Sequence, residues 1–258
     1  MTVNIPISLL DTLHSIAVRA GHEILTIYNT DFDVELKGDN SPVTAADKKA
    51  ETLITQAIKA EITADFPIIG EEAFSDGQAP SLSGGPFWLV DPLDGTKEFV
   101  KRSGEFTVNI ALIDAGRPIA GVVHTPAQGH VFMGSPHGAT ADLGNGPQPI
   151  RCRTWPTEGL TALVSKSHKT PETDDFLSQY TIHEEIGAGS SLKFCAVAQG
   201  HADIYPRLGR TMEWDTAAGH AVLRAAGGTV LDLDGKELLY GKPGFENPHF
   251  VAKGVETA

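Results

Sequence analysis

Apolar residues recur at helical spacing from Ile7 to Tyr28, with Leu9, Leu10, Leu13, Ile16, Ala17, Ala20, Ile24 and Ile27 on one face, and predict one long amphipathic helix. Val34-Glu35-Leu36-Lys37 then alternates as a short strand and runs into a polar turn at Gly38-Asp39-Asn40-Ser41-Pro42. Thr44-Ala45-Ala46-Asp47 has the form of a capping box, so a second helix starts there, with Leu53, Ile54, Ala57, Ile58 and Ile62 as its apolar face. Phe66-Pro67-Ile68-Ile69 reads as a short buried strand delivering Gly70-Glu71-Glu72, and Ser75 to Pro86 as a loop. Phe87-Trp88-Leu89-Val90 is a second buried strand, expected to stop at Asp91-Pro92, and Lys97-Glu98-Phe99-Val100 is the first turn of a helix.

Strands at Phe106–Ile113, Ile119–His124, His130–Met133 and Ala139–Leu143, separated by turn glycines, predict an antiparallel meander. The run Gly144-Asn145-Gly146-Pro147-Gln148-Pro149 is the best candidate boundary, dividing the chain into 1–146 and 147–258. Beyond it, strands at Leu160–Val164, Thr181–Ile186, Ala202–Tyr205 and Thr229–Asp232 alternate with helices at Pro171–Gln179, Ser190–Gln199 and Trp214–Ala226. That alternation predicts an α/β half with helices on both faces of its sheet.

With 258 residues, 41% hydrophobic and 21% charged, the chain has the means to bury a proper core, and disorder is excluded. A formal charge of -13 argues against nucleic-acid polymers and anionic membrane surfaces as partners, but not against a small anion in a locally positive site. Cys152 and Cys195 have no metal-ligand spacing and read as free thiols of a reducing compartment, Cys195 buried on a helix. No signal peptide or membrane-length apolar run is visible, so a cytoplasmic protein is expected.

Two apolar strands each ending in carboxylates is a pattern of chemical interest. Asp91 and Asp94 lie at a strand-to-helix junction, where backbone N–H groups favour an anion. Acids there would repel that anion unless a divalent cation lies between them, and hard oxygen ligands suit magnesium. The plainer reading keeps Asp91 as a turn cap, Asp94 and Asp215 as helix caps, and Asp47 as a complement to its helix dipole.

Gly70-Glu71-Glu72, Asp91-Pro92-Leu93-Asp94-Gly95-Thr96 and Trp214-Asp215-Thr216-Ala217-Ala218-Gly219 resemble, in order and spacing, three motifs of the inositol monophosphatase superfamily of lithium-sensitive, magnesium-dependent phosphatases. The resemblance runs from about Ala20 to Gly228 and implies a layered αβαβα sandwich. It implies that Glu71, Asp91, Asp94, Asp215 and the Leu93 carbonyl hold two or three magnesium ions, which activate a water with Glu71 and neutralise the leaving oxygen. Asp47 and Thr96 would form the water-activating pair, and the N–H groups of Gly95 and Thr96 would receive phosphate oxygens.

Lys97-Glu98 before Phe99, the segment Gly189-Ser190-Ser191-Leu192-Lys193-Phe194-Cys195 followed by Ala202 to Arg207, and Ser165-Lys166-Ser167-His168 resemble the superfamily's nucleotidase branch. That likeness implies adenosine 3',5'-bisphosphate as substrate, AMP and phosphate as products, and Ser190, Lys193, Arg207 and His168 as nucleotide contacts. Inositol or fructose-1,6-bisphosphate phosphatase is the alternative within the class, and a catalytically idle sensor of adenosine bisphosphate the alternative outside it. Relatives include monomers and homodimers, and some sit peripherally at the inner membrane.

Overall fold

A computed structural model describes residues 5–36, 42–166 and 169–256. Helix α1 (Ile7–Tyr28) spans the range of its apolar stripe, and Leu13, Ile16, Ala17, Ala20 and Ile24 are completely buried. A two-stranded ladder of β1 (Glu35–Leu36) and β2 (Pro42–Val43) follows, and residues 38–41 of the expected turn lie outside the described residues. Helix α2 (Ala45–Glu61) starts where the capping box predicts: the Thr44 N–H and hydroxyl both donate to Asp47 Oδ2 at 2.8 Å, and the Ala46 N–H donates to Thr44 Oγ1 at 3.1 Å.

Next come β3 (Ile68–Gly70), α3 (Glu71–Ser75), β4 (Phe87–Asp94), α4 (Thr96–Val100), β5 (Thr107–Asp114), β6 (Arg117–Thr125), β7 (His130–Ser135), β8 (Gly138–Asp142) and β9 (Pro147–Ile150). The seven strands form one sheet in chain order. It is an antiparallel meander except at its edge, where β3 runs parallel to β4. Strand β4 does not stop at Asp91-Pro92 as expected. It continues through Asp94 by a register irregularity between Asp91 and Asp94, and the extra residues absorb the proline that a regular ladder would reject.

The chain continues as β10 (Leu160–Ser165), α5 (Pro171–Leu177), β11 (Ile182–Ala188), α6 (Leu192–Ala198), β12 (Ile204–Arg207), α7 (Glu213–Ala225), β13 (Thr229–Asp232) and β14 (Phe250–Lys253). These strands form a second sheet in the order β11-β10-β12-β14-β13. Strand β14, absent from the sequence expectation, inserts antiparallel between β12 and β13, which makes the sheet mixed. The expected boundary falls in the turn between β8 and β9, which are paired.

Layering follows from alternation within the apolar runs. Trp88, Val90, Ile110 and Leu112 face α1 and α2, while Phe87, Leu89, Ala111 and Ile113 face the opposite way, toward α6, α7 and the second sheet. In the second sheet, Leu163, Tyr205 and Phe250 join that shared core, whereas Ala162, Val164, Ile204 and Val251 meet Leu177 and Phe176 of α5. The result is the αβαβα sandwich, with both sheets covered on both faces, which explains why the strands read as continuous apolar runs.

Helix α7 lies in backbone contact with the first sheet. Gly121 and Gly134 are cross-strand partners beneath it, and a Cβ on Gly121 would come within 2.9 Å of the Ala218 carbonyl oxygen. A Cβ on Gly134 would come within 2.5 Å of the Val222 Cα. Gly134→Ala must therefore push α7 off the sheet and is expected to cost about 1–3 kcal/mol, the usual effect of overpacking. Gly85→Ala, in open space, should be nearly neutral, and denaturant titration of both variants checks the contrast.

Candidate active site

The cleft where the two sheets meet is a cavity of about 230 Å³ lined by Glu71, Asp91, Leu93, Asp94, Gly95, Thr96, Ser190, Lys193, Arg207 and Asp215. The acids reach it from three elements. Glu71 is the first residue of α3, directly after β3; Asp91 and Asp94 flank the irregularity of β4; Asp215 sits in the first turn of α7. His168 lies outside the described residues, so its placement adds nothing here.

Three of the acids are tethered by a backbone N–H. Leu93 N–H donates to Asp91 Oδ1 at 3.0 Å, so the turn-capping role of Asp91 coexists with its place in the cleft. Met212 N–H donates to Asp215 Oδ2 at 2.8 Å, which puts Asp215 three positions past the N-cap rather than at it. Asp94 does not cap α4, where Gly95 occupies the N-cap with φ 94°. Its Oδ2 accepts the Ser191 N–H at 2.6 Å instead, joining β4 to the segment before α6. The Ser191 hydroxyl extends this link to Asn109 Oδ1 at 2.7 Å and Thr107 Oγ1 at 2.9 Å, and Ser191, Asn109 and Thr107 are all buried.

Ser190 adopts a left-handed φ of 47° and turns its hydroxyl onto the carbonyl oxygens of Asp94 (2.9 Å) and Glu105 (2.7 Å). Gly95 has to be glycine here, because a Cβ would meet that hydroxyl. The Thr96 hydroxyl lies 3.3 Å from both Asp47 Oδ1 and the Leu93 carbonyl oxygen. Asp47 is 1% exposed and stands behind Thr96, so one carboxylate serves the capping box through Oδ2 and Thr96 through Oδ1.

Two cations face the acids. Lys193, 3% exposed, donates to the carbonyl oxygens of Ser190 (2.6 Å) and Ala188 (3.1 Å). Arg207 donates from Nη2 to the Arg210 carbonyl oxygen at 3.0 Å, while its buried Nε has no hydrogen-bond partner among the described residues.

Burial and mutual repulsion dominate the electrostatics. Asp91 is raised well above the ordinary carboxylate range, first by burial and then by Glu71, Asp94 and Asp215. Asp215 is pushed up to about 8 by burial, then by Asp94 and Glu71. Asp94 is pushed up to about 6 by burial, with the Lys193 charge pulling the other way. Burial pulls Lys193 down to about 8. Such a cluster holds a proton or a cation in preference to four bare charges.

Among the described residues the acids lining the cleft offer oxygen donors, and no His or Cys lines it, a donor set that fits magnesium. Among the described residues no three acidic, His or Cys side chains close into a ready-made cage.

The sequence did not mark the residues that support these acids and the start of α3: Ser191, Asn109, Thr107 and Glu51. Glu51 was hidden as one more polar residue of α2, yet it is 7% exposed and reaches the start of α3. Only its spacing of four from Asp47, on the same helix face, could have drawn attention to it.

The sequence pattern of the Inositol monophosphatase family matches residues 8–255. The chain is 44% identical, over 94% of its length and 98% of the relative's, to the 3'(2'),5'-bisphosphate nucleotidase CysQ of Escherichia coli (strain K12). It is 31% identical to the CysQ of Haemophilus influenzae, over 96% of this chain and 94% of that one. Among solved structures it is similar to CysQ from Bacteroides thetaiotaomicron, with a TM-score of 0.81 and 36% identity over 96% of this chain and 97% of that one. It is also similar to the inositol monophosphatase from Anabaena (Nostoc) sp. PCC 7120, with a TM-score of 0.76 and 25% identity over 96% of this chain and 91% of that one. With the acids, the Thr96–Asp47 pair and the five-layered fold already in hand, the match over nearly the whole chain establishes that this protein belongs to the inositol monophosphatase family.

Proposed function

We propose that this protein is a magnesium-dependent 3'(2'),5'-bisphosphate nucleotidase that hydrolyses adenosine 3',5'-bisphosphate to AMP and phosphate, as expected of an enzyme of sulfur assimilation. The observation that carries the reading is the juxtaposition in one cleft of Glu71, Asp91, Asp94 and Asp215 with the buried cations Lys193 and Arg207. A bisphosphate fits both halves: one phosphate at the acids with their cations, the other at the basic pair. The Escherichia coli nucleotidase aligns over 98% of its own length, which accords with a substrate site of the same kind.

In this reading Glu71, Asp91, Asp94, Asp215 and the Leu93 carbonyl hold the magnesium. When bound, magnesium lowers the pKa of the attacking water and stabilises charge at the leaving oxygen. Thr96 orients that water and relays its proton to Asp47 Oδ1, while the two Thr44 donors hold Oδ2 and so keep Oδ1 turned toward Thr96. The N–H groups of Gly95 and Thr96 receive phosphate oxygens. Lys193 and Arg207 bind the phosphate that is not cleaved, and Ser190 contributes by fixing the wall of the site through Asp94 and Glu105. A cytoplasmic setting belongs to the same reading, supported by the two free thiols, Cys152 and Cys195. Among the described residues no helix is long and apolar enough to cross a membrane.

The deciding experiment is phosphate release from adenosine 3',5'-bisphosphate, inositol 1-phosphate and fructose 1,6-bisphosphate, with and without magnesium. Strong preference for the nucleotide is expected; preference for either sugar phosphate would reassign the substrate and the roles of Lys193 and Arg207. Asp94→Asn should lower kcat/KM by more than about 100-fold, beyond the loss typical of residues that merely support a metal ligand. Lys193→Ala should raise KM for the bisphosphate by about 10-fold or more, the factor expected from losing a charged hydrogen bond of ~1.5–3 kcal/mol. The wild-type fall in kcat/KM above pH 8, as Lys193 loses its proton, should be absent from that variant.

Magnesium and pH are linked through the acids. Asp94 and Asp215 have folded pKa values, about 6 and about 8, above the 3.8 of the ordinary side chain. Their contribution to stability is therefore fully present below pH 3.8 and is lost as pH rises through those values. A bound dication removes that loss, so magnesium should raise Tm more at pH 8 than at pH 5. Equal shifts at the two pH values would count against the acids as the metal site.

A further inference from the structure

Glu51 sits one helical turn beyond Asp47 on α2 and is buried, but it does not line the cleft. Its side chain crosses to the start of α3. Oε2 accepts the Glu72 N–H at 2.8 Å, and Oε1 accepts the Ala73 N–H at 2.8 Å. These are the second and third residues of a helix whose first residue is Glu71. On the other side of Glu71, Gly70 has no room for a Cβ, because the Glu51 carboxyl group fills the space. Glu71 is thus bracketed by one carboxylate, through contact with the residue before it and hydrogen bonds to the two residues after it.

A helix of five residues is too short to hold itself, since nucleation is unfavourable and its first N–H groups lack internal partners. Gly70 has no side chain with which to cap it. The cap arrives from α2 instead, as a carboxyl group with one oxygen accepting from each N–H.

We propose that Glu51 is a positioning residue that fixes Glu71 in the cleft, and that α2 serves as a common arm for both parts of water activation. Asp47 steadies Thr96 from this arm, and Glu51, four residues on, steadies Glu71. The inference rests on the role assigned to Glu71 above. It adds a residue that touches neither substrate nor cation, yet sets where a ligand of the cation stands.

The test is Glu51→Gln, which keeps the size of the side chain but presents an amide N–H where one oxygen had accepted a backbone N–H. In the folded variant, verified by circular dichroism, KM for adenosine 3',5'-bisphosphate should stay within about 2-fold while kcat falls about 10–100-fold, the effect of misplacing a reacting group. Without substrate, the rise in Tm produced by magnesium should shrink, and the half-saturating magnesium concentration should increase several-fold. Gly70→Ala, which presses on the same carboxylate, should give the same signature and serves if the first variant folds poorly.

A double-mutant cycle separates positioning from general support. Added to Glu71→Gln, Glu51→Gln should have almost no further effect on kcat; added to Lys193→Ala, its effect should multiply in full. Full multiplication with Glu71→Gln, or an unchanged magnesium response in Glu51→Gln, would overturn the proposal. Wild-type turnover by Glu71→Gln would remove its premise, whereas the phosphatase reading is judged independently by Asp94→Asn.

Discussion

Four carboxylates held in one buried cleft repel each other, and most of the polar structure around the site exists to keep them there. Backbone N–H groups hold three of them, Leu93 on Asp91, Met212 on Asp215 and Ser191 on Asp94, and Glu51 caps the helix that Glu71 opens. The raised pKa values of Asp91, Asp94 and Asp215 register burial first, with that repulsion added to it. Clustered carboxylates of this kind are costly as bare charges, so they favour a cation, which is the preference that the proposed chemistry uses.

The scaffold resists by bringing backbone close to backbone. Helix α7, which carries Asp215, can sit directly on β6 and β7 because Gly121 and Gly134 lack side chains and α7 offers Ala217, Ala218 and Ala221. Gly219 makes the same concession to Phe194 of α6, where a Cβ would come within 2.7 Å of the Phe194 Cβ. Helix α6 in turn begins just after Ser191, the partner of Asp94. One core of small residues and aromatic rings, including Phe194, Tyr205, Trp214 and Phe250, therefore sets the distance between acids that come from opposite ends of the chain.

Local rules made part of this legible. The apolar stripe of α1 and the capping box of α2 are properties of a few consecutive residues, and both were read with correct starts. Strand β4 was read too short because Pro92 ordinarily ends a ladder, and only its neighbour β5 lets the strand resume beyond the irregularity. Strand β14 was missed because Phe250-Val251-Ala252 is a short run after a polar turn; it becomes a strand by filling the gap between β12 and β13. Helix α3 was missed because its cap is supplied by Glu51, twenty residues earlier by position and absent from any local window.

The sequence by itself determined which residues could do chemistry. Acids that follow apolar strands or open a helix are marked by composition and spacing alone, and their motifs identify the superfamily. The tertiary structure decided which contacts hold them, Ser191 on Asp94, Thr96 on Asp47 and Glu51 on α3, and it placed Arg207 beside the acids. Those pairings join residues far apart in the chain through one or two hydrogen bonds each. Such bonds leave no periodicity for a sequence pattern to reveal, because they depend on the distance at which two separately folded elements come to rest.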